Sequence, residues 1–197
     1  MCYNVSVCGR PPRINAEFKW NNHMELWDLY DREGNKTDGV WERKNGKNND
    51  LPEGRYHLVC DILVKHTDGS YLLTKRHPDK PICPGFWEPG AGGAALKGED
   101  PEECAKRELF EETGLKADNF EFVARSVSDY SHTIYFSYLV VVDCDKDSIV
   151  LQEGETTDYK WVDAKGLLEY ADSDLAMRNH VERYRDYLNE ISREIDS

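Results

Sequence analysis

Apolar and polar residues alternate along this chain at two periods, and the switches between them mark its elements. Glu25 to Asp31 (ELWDLYD) alternates at period two, as a half-buried strand does, and Gly34-Asn35 closes it with a turn signal. A polar loop rich in Lys, Asn and Gly runs from Arg43 to Asp50. His57 to Lys65 is then an apolar run that predicts a buried strand. Asp68-Gly69 signals a hairpin turn, and Tyr71 to Lys75 returns from it. Pro84-Gly85 leads into a short strand-like segment, Phe86-Trp87-Glu88, and then into Gly90, Gly92 and Gly93. Glu121 to Ser128, Thr133 to Asp143 and Tyr159 to Val162 predict three further strands. Asp163 suits the cap of a short helix through Leu168.

Between the strands lies one strong helix signal. Asp100 can cap it, Pro101 suits its first turn, and Glu103 stands where a capping-box carboxylate belongs. The helix should run to about Thr113, with Gly114 as its left-handed stop. Ala105 and Leu109 lie one turn apart and face the core. Glu108, Glu111 and Glu112 share the other face, where like charges repel unless a cation sits among them. Ser173 to Ile195 predicts one long amphipathic helix, with Met177, Val181, Tyr184, Leu188, Ile191 and Ile195 at steps of four and three. That stripe fits packing on its own domain or a homodimer contact. Strands, helix, strands and helix in this order predict an α+β fold.

Composition narrows the function. With 25 Lys and Arg against 38 Asp and Glu, the net charge is −13, which argues against a nucleic-acid polymer as partner. No apolar run is long enough to predict a membrane span. The start, MCYNVSVCGRPPRIN, does not read as a secretory signal. Cys2, Cys8, Cys60, Cys83, Cys104 and Cys144 lack C-x-x-C spacing and read as reduced thiols, so a cytoplasmic location is expected. Residues 1–23 read as an N-terminal extension, and 24–197 as a single domain.

The segment GAALKGEDPEECAKRELFEETGL, Gly93 to Leu115, carries the chemistry. Gly93, Glu99, Arg107-Glu108-Leu109, Glu111-Glu112 and Gly114-Leu115 match every fixed position of G-x5-E-x7-R-E-U-x-E-E-x-G-U, where U is bulky and aliphatic. The chain thus resembles the Nudix (MutT-like) hydrolases. The resemblance implies an α/β/α sandwich around a mixed sheet, here with an added C-terminal amphipathic helix. It also implies metal-dependent hydrolysis of a phosphoanhydride in a small phosphorylated substrate. Oxygen ligands suit Mg²⁺, with Mn²⁺ as a substitute. Glu108, Glu111, Glu112 and a Gly92 carbonyl are the expected metal ligands. Arg107 is expected to pair with Glu99 or Glu111 and hold the carboxylates in register. Gly93, Glu99 and Gly114 are structural positions of the motif. The general base is either a glutamate of this helix (Glu111 or Glu112) or Glu155 (or Glu153) of the later loop. Lys75 and Arg76, at a strand end, are candidate phosphate contacts, and Tyr130 and His132 candidate specificity residues.

The flanks, from Leu26 to Trp161, also resemble the isopentenyl-diphosphate isomerases. There His57 lines up with a metal-binding histidine and Glu155 with an acidic catalytic residue. The isomerases' essential cysteine is replaced by Gly92, and a histidine by Ala94, so the thiol acid of that reaction is missing. The hydrolase reading stands first, with an isomerase-like enzyme or a non-catalytic nucleotide-binding module as alternatives.

Overall fold

A computed structural model describes residues 25–43 and 51–196; the expected N-terminal extension, Cys2, Cys8 and most of the polar loop lie outside them. In chain order the elements are β1 (Leu26–Tyr30), β2 (Lys36–Glu42), β3 (His57–His66), β4 (Tyr71–Arg76), β5 (Trp87–Pro89), β6 (Ala91–Ala94), α1 (Pro101–Thr113), β7 (Glu121–Ser128), β8 (Thr133–Val142), β9 (Thr156–Val162), α2 (Ala164–Asp172), α3 (Arg178–Arg183) and α4 (Arg185–Ile195). β1 and β2 form a separate antiparallel hairpin, and the other strands make a seven-stranded mixed sheet. The α+β expectation holds.

The apolar run of β3 is central because both its faces are covered. β8 runs parallel to it over its whole length, from His57↔Thr133 to His66↔Val142. On its other side β4 pairs with it only at Lys65↔Tyr71, beside the hairpin turn. Further along, the glycine-rich β6 takes over, from Val59↔Ala94 to Ile62↔Ala91. β4 instead pairs with β5 and β9. This divergence brings the glycines of β6 and the end of β4 to one side of the sheet.

Alternation along β3 divides the core in two. Leu58, Cys60, Ile62 and Val64 pack with Cys104, Ala105 and Leu109 of α1. Leu63 of β3 joins Tyr71, Leu73 and Leu139 against Leu167, Tyr170, Tyr184, Leu188 and Ile191 of the C-terminal helices. A helix layer therefore covers each face. Among the described residues no helix is long and apolar enough to cross a membrane.

Two expectations need correction. The residues of β1 do not simply alternate: Asp28 is buried between Trp27 and Leu29 because Lys36 Nζ and the Gly98 N–H, each at 2.7 Å, satisfy its carboxylate. The C-terminal stripe is not one helix. Ser173 ends α2, α3 starts only at Arg178, and the backbone leaves the helical region at Tyr184 (φ −99°, ψ 11°). Tyr184 is anchored there by its hydroxyl, which lies 2.9 Å from the Asp61 carbonyl and 3.0 Å from that of Tyr138. Most of the stripe is spent on the chain's own sheet, although Ile195 stays 48% exposed.

The second core holds a buried ion pair. Arg183 donates to Asp61 at 2.5 and 2.8 Å, with side-chain exposures of 5% and 2%, and its guanidinium lies over the Tyr135 ring. Arg183→Leu removes the permanent cation and leaves a buried carboxylate with Ser137 and His180 beside it, which costs roughly 3–5 kcal/mol. Urea unfolding should report that loss; a stability within about 1 kcal/mol of the parent, the range typical of exposed pairs, would contradict it.

Candidate active site

The site begins with the way α1 is fixed. Asp100 accepts from the Glu103 N–H at 2.8 Å, and Glu103 accepts in return from the Asp100 N–H at 3.0 Å. Gly114, at φ +73°, ends the helix and donates to the Phe110 carbonyl. Cys104, Ala105 and Leu109 are fully buried, and Glu112 is buried on the same side of the helix, so the expected separate acidic face is corrected; Arg107, Glu108, Glu111 and Glu112 line a cleft that borders the core.

Arg107 binds three segments at once. Its Nε and Nη2 grip the two oxygens of Glu99 at 2.6 and 2.9 Å. Its Nη1 donates to Glu108 at 2.6 Å and to Glu111 at 3.0 Å, and its Nη2 also reaches the Ala94 carbonyl of β6 at 2.9 Å. Burial works against the guanidinium's charge, but Glu99 and Glu108 outweigh it and hold Arg107 firmly protonated. Burial likewise opposes ionisation of Glu99, and Arg107 with the Leu96 N–H overcomes it.

The carboxylates facing the cleft are less well satisfied. Burial raises the pKa of Glu108, with Arg107 opposing. Burial, then Glu88 and Glu108, push Glu112 well above the usual carboxylate range, against a single N–H donor from Gly92 at 3.1 Å. Among the described residues no three acidic, His or Cys side chains form a ready ligand cluster. Arg107 draws Glu108 and Glu111 to itself, while Glu112 turns to Gly92. The donor set still fits a hard cation: buried, mutually repelling carboxylates, oxygen ligands only, and a bare backbone beside them. Gly93 supplies that bareness, since a Cβ there would lie 2.3 Å from Glu108 Oε1.

These residues line a cleft of about 220 Å³. Arg107, Glu108, Glu111, Glu112, Gly92, Gly93, Arg76 and Glu155 all reach it. Glu99 stands behind it through Arg107, and Gly114 lies at the far end of the helix. Lys75, Tyr130 and His132, the other expected substrate contacts, do not line the cleft. Successive residues of β4 point to opposite faces: Lys75 Nζ lies 5.8 Å from the Trp87 ring centroid, a ring that packs with the second core. Tyr130 is 86% exposed in the turn between β7 and β8. His132, in a left-handed backbone conformation at φ +51°, donates from Nδ1 to the Arg55 carbonyl and stacks on Tyr56.

His57 is not at the cleft either. It is fully buried, stacked on Trp27 at 4.2 Å, with Nδ1 donating to the His132 carbonyl. Sequence reasoning missed Lys80, Arg43 and Glu25, which line the cleft, and Glu88, which lies close enough to perturb Glu112. Lys80 and Glu155 form an ion pair, as do Arg76 and Glu88. Antiparallel pairing of β4 with β5 places Arg76 near Glu88, and a hairpin reading of those two segments is the one sequence signal that could have found it.

Known proteins resemble this chain in sequence and in fold. Residues 55–184 match the model of the NUDIX domain. An uncharacterized Nudix hydrolase of Listeria monocytogenes is 30% identical over 139 residues, covering 71% of this chain and 80% of that protein. The nucleoside triphosphatase NudI of Escherichia coli is 32% identical over 123 residues, covering 57% of this chain and 85% of that protein. Among solved structures, DR0079 from Deinococcus radiodurans superposes with a TM-score of 0.62 at 20% identity, over 86% of this chain and 98% of that one, a likeness of fold.

The buried His57 makes stability depend on pH. Burial lowers its pKa from 6.5 to about 4. The unfolded chain takes up this proton near pH 6.5 and the folded chain only near 4, so stability is lost as pH falls through that window, by at most about 3 kcal/mol. Unfolding free energies measured from neutral pH down to pH 4 should show the advantage of the parent over His57→Gln shrinking by that order. A constant difference would contradict the assignment.

Proposed function

The chain belongs to the Nudix hydrolase family, and from that premise we propose that it uses Mg²⁺ to cleave a phosphoanhydride bond in a nucleoside diphosphate linked to another moiety. The observation that carries this reading is the grip of Arg107 on Glu99, Glu108, Glu111 and Ala94 at the edge of a cleft lined by carboxylates. Glu108, Glu111, Glu112 and the Gly92 carbonyl would hold the ion. When bound, Mg²⁺ neutralises phosphate oxygens and acidifies water. Arg107 touches no substrate; it positions the carboxylates and balances part of their charge. Glu155, on the opposite loop, takes the proton of the water that attacks phosphorus while the bond to the leaving phosphate breaks. The relative named a nucleoside triphosphatase extends the substrate class to be tested. The isomerase alternative gains no support, since Cys60 and Cys104 are buried in the core and neither lines the cleft.

The test is a Mg²⁺-dependent phosphate-release screen. It spans ADP-ribose, nucleotide sugars, dinucleoside polyphosphates, nucleoside triphosphates and isopentenyl diphosphate. One class should be cleaved, and Glu112→Gln should lower that rate roughly a hundredfold or more while the protein stays folded. An active Glu112→Gln protein would sink the assignment. Glu155→Gln should lower kcat by about 10²–10⁴-fold with metal affinity retained; an unchanged kcat returns the base to Glu111 or Glu112.

A further inference from the structure

Among the described residues, each cation lining the cleft pairs with a carboxylate, but the pairs are not equivalent. Arg43 meets Glu25 at 2.7 Å across the first hairpin. Arg76 holds both oxygens of Glu88 at 3.1 Å on the neighbouring strand. Arg107 is bound into α1 and its flanks. Among the described residues at the cleft, only the Lys80–Glu155 pair joins two loops through a single side-chain contact.

The two loops are held together independently of that contact. The His77 N–H donates to the Glu155 carbonyl at 2.8 Å, and Lys80 N–H donates to His77 at 3.1 Å. The side-chain pair can therefore break without the loops separating. Both side chains are mostly buried, at 17% and 28% exposure, so water is a poor substitute partner. Burial, with Arg76 and Arg43 nearby, weakens Lys80's hold on its proton, while Glu112 and Glu88 favour its charge. A lysine ammonium is a compact point charge with rotatable donors, well suited to exchange one anion for another.

We propose that Lys80 is a substrate-phosphate contact that restrains Glu155 until a phosphate arrives. Exchange of the ammonium from carboxylate to phosphate leaves Glu155 unpaired beside the reacting water. The freed carboxylate then accepts the water's proton as its oxygen bonds to phosphorus and the phosphoanhydride bond breaks. The base role of Glu155 rests on the hydrolase reading above; the exchange itself does not.

Binding of imidodiphosphate, a non-hydrolysable diphosphate, tests the exchange without turnover. Calorimetric titration in Mg²⁺ compares the parent, Glu155→Gln, Lys80→Gln and the double variant. If Glu155 competes with phosphate for Lys80, Glu155→Gln tightens binding about tenfold in the parent background and less than about twofold with Lys80→Gln. Glu153→Gln removes the same charge from the same turn and should tighten binding less than about twofold, which keeps the test available if Lys80→Gln does not fold. Equal tightening by both glutamine variants, tightening independent of Lys80, or no binding to any protein would overturn the proposal. Hydrolysis in the screen reports on the activity and this titration on the exchange, so either can fail without the other.

Discussion

The site depends on one guanidinium. Arg107 spends its donors on β6, on the turn before α1 and on α1 itself, so the helix, the glycine strand and the acidic face share one fixed frame. Without it, Glu108 and Glu111 would repel each other at helical spacing. A lysine could not replace it geometrically, because a single ammonium cannot present a planar fork to Glu99 while reaching two further carboxylates. The close approach of Gly93 to Glu108 belongs to the same frame, since a side chain there would displace the Glu108 carboxylate from its place beside Arg107.

Around that frame the fold sets two walls against each other. β4 leaves β3 after one paired position and carries Arg76 and the Lys80 loop to the far side of the cleft. α1 and β6 present glutamates from the near side. Both walls are internally compensated, but unevenly: the cations have whole carboxylates as partners, whereas Glu112 has one backbone N–H. The deficit lies where a divalent cation and a polyphosphate would together restore balance. Unsatisfied charge in an otherwise well-packed domain is a mark of function, and here it falls on Glu112, buried in α1 beside the cleft.

Local chemistry was legible in the sequence, and long-range placement was not. The capping box at Asp100 and Glu103, the stop at Gly114 and the buried pair Ala105 and Leu109 follow from propensity and period alone, and each stands as read. Lys75 and Arg76 show the limit: a strand end of two cations says nothing about which of them faces the site until the sheet's faces are known. Lys80 and Glu155 are 75 positions apart, and only the pairing of β4 with β9 brings their loops together. The break at Tyr184 was hidden by a regular apolar stripe, because a tyrosine that leaves the helix to reach the Asp61 carbonyl keeps its place in the pattern. Asp28 and Asp61 were invisible as core residues, since their partners Lys36, Gly98 and Arg183 come from other elements.

The central claim is that Arg107 organises the carboxylates for a divalent cation. Its most direct test is Mn²⁺ binding, followed by electron paramagnetic resonance, in the parent and in Arg107→Lys, with hydrolysis measured on the same samples. The account predicts a folded Arg107→Lys protein whose Mn²⁺ affinity falls about 10- to 100-fold, with turnover falling alongside it. Parental affinity and turnover in Arg107→Lys would contradict it.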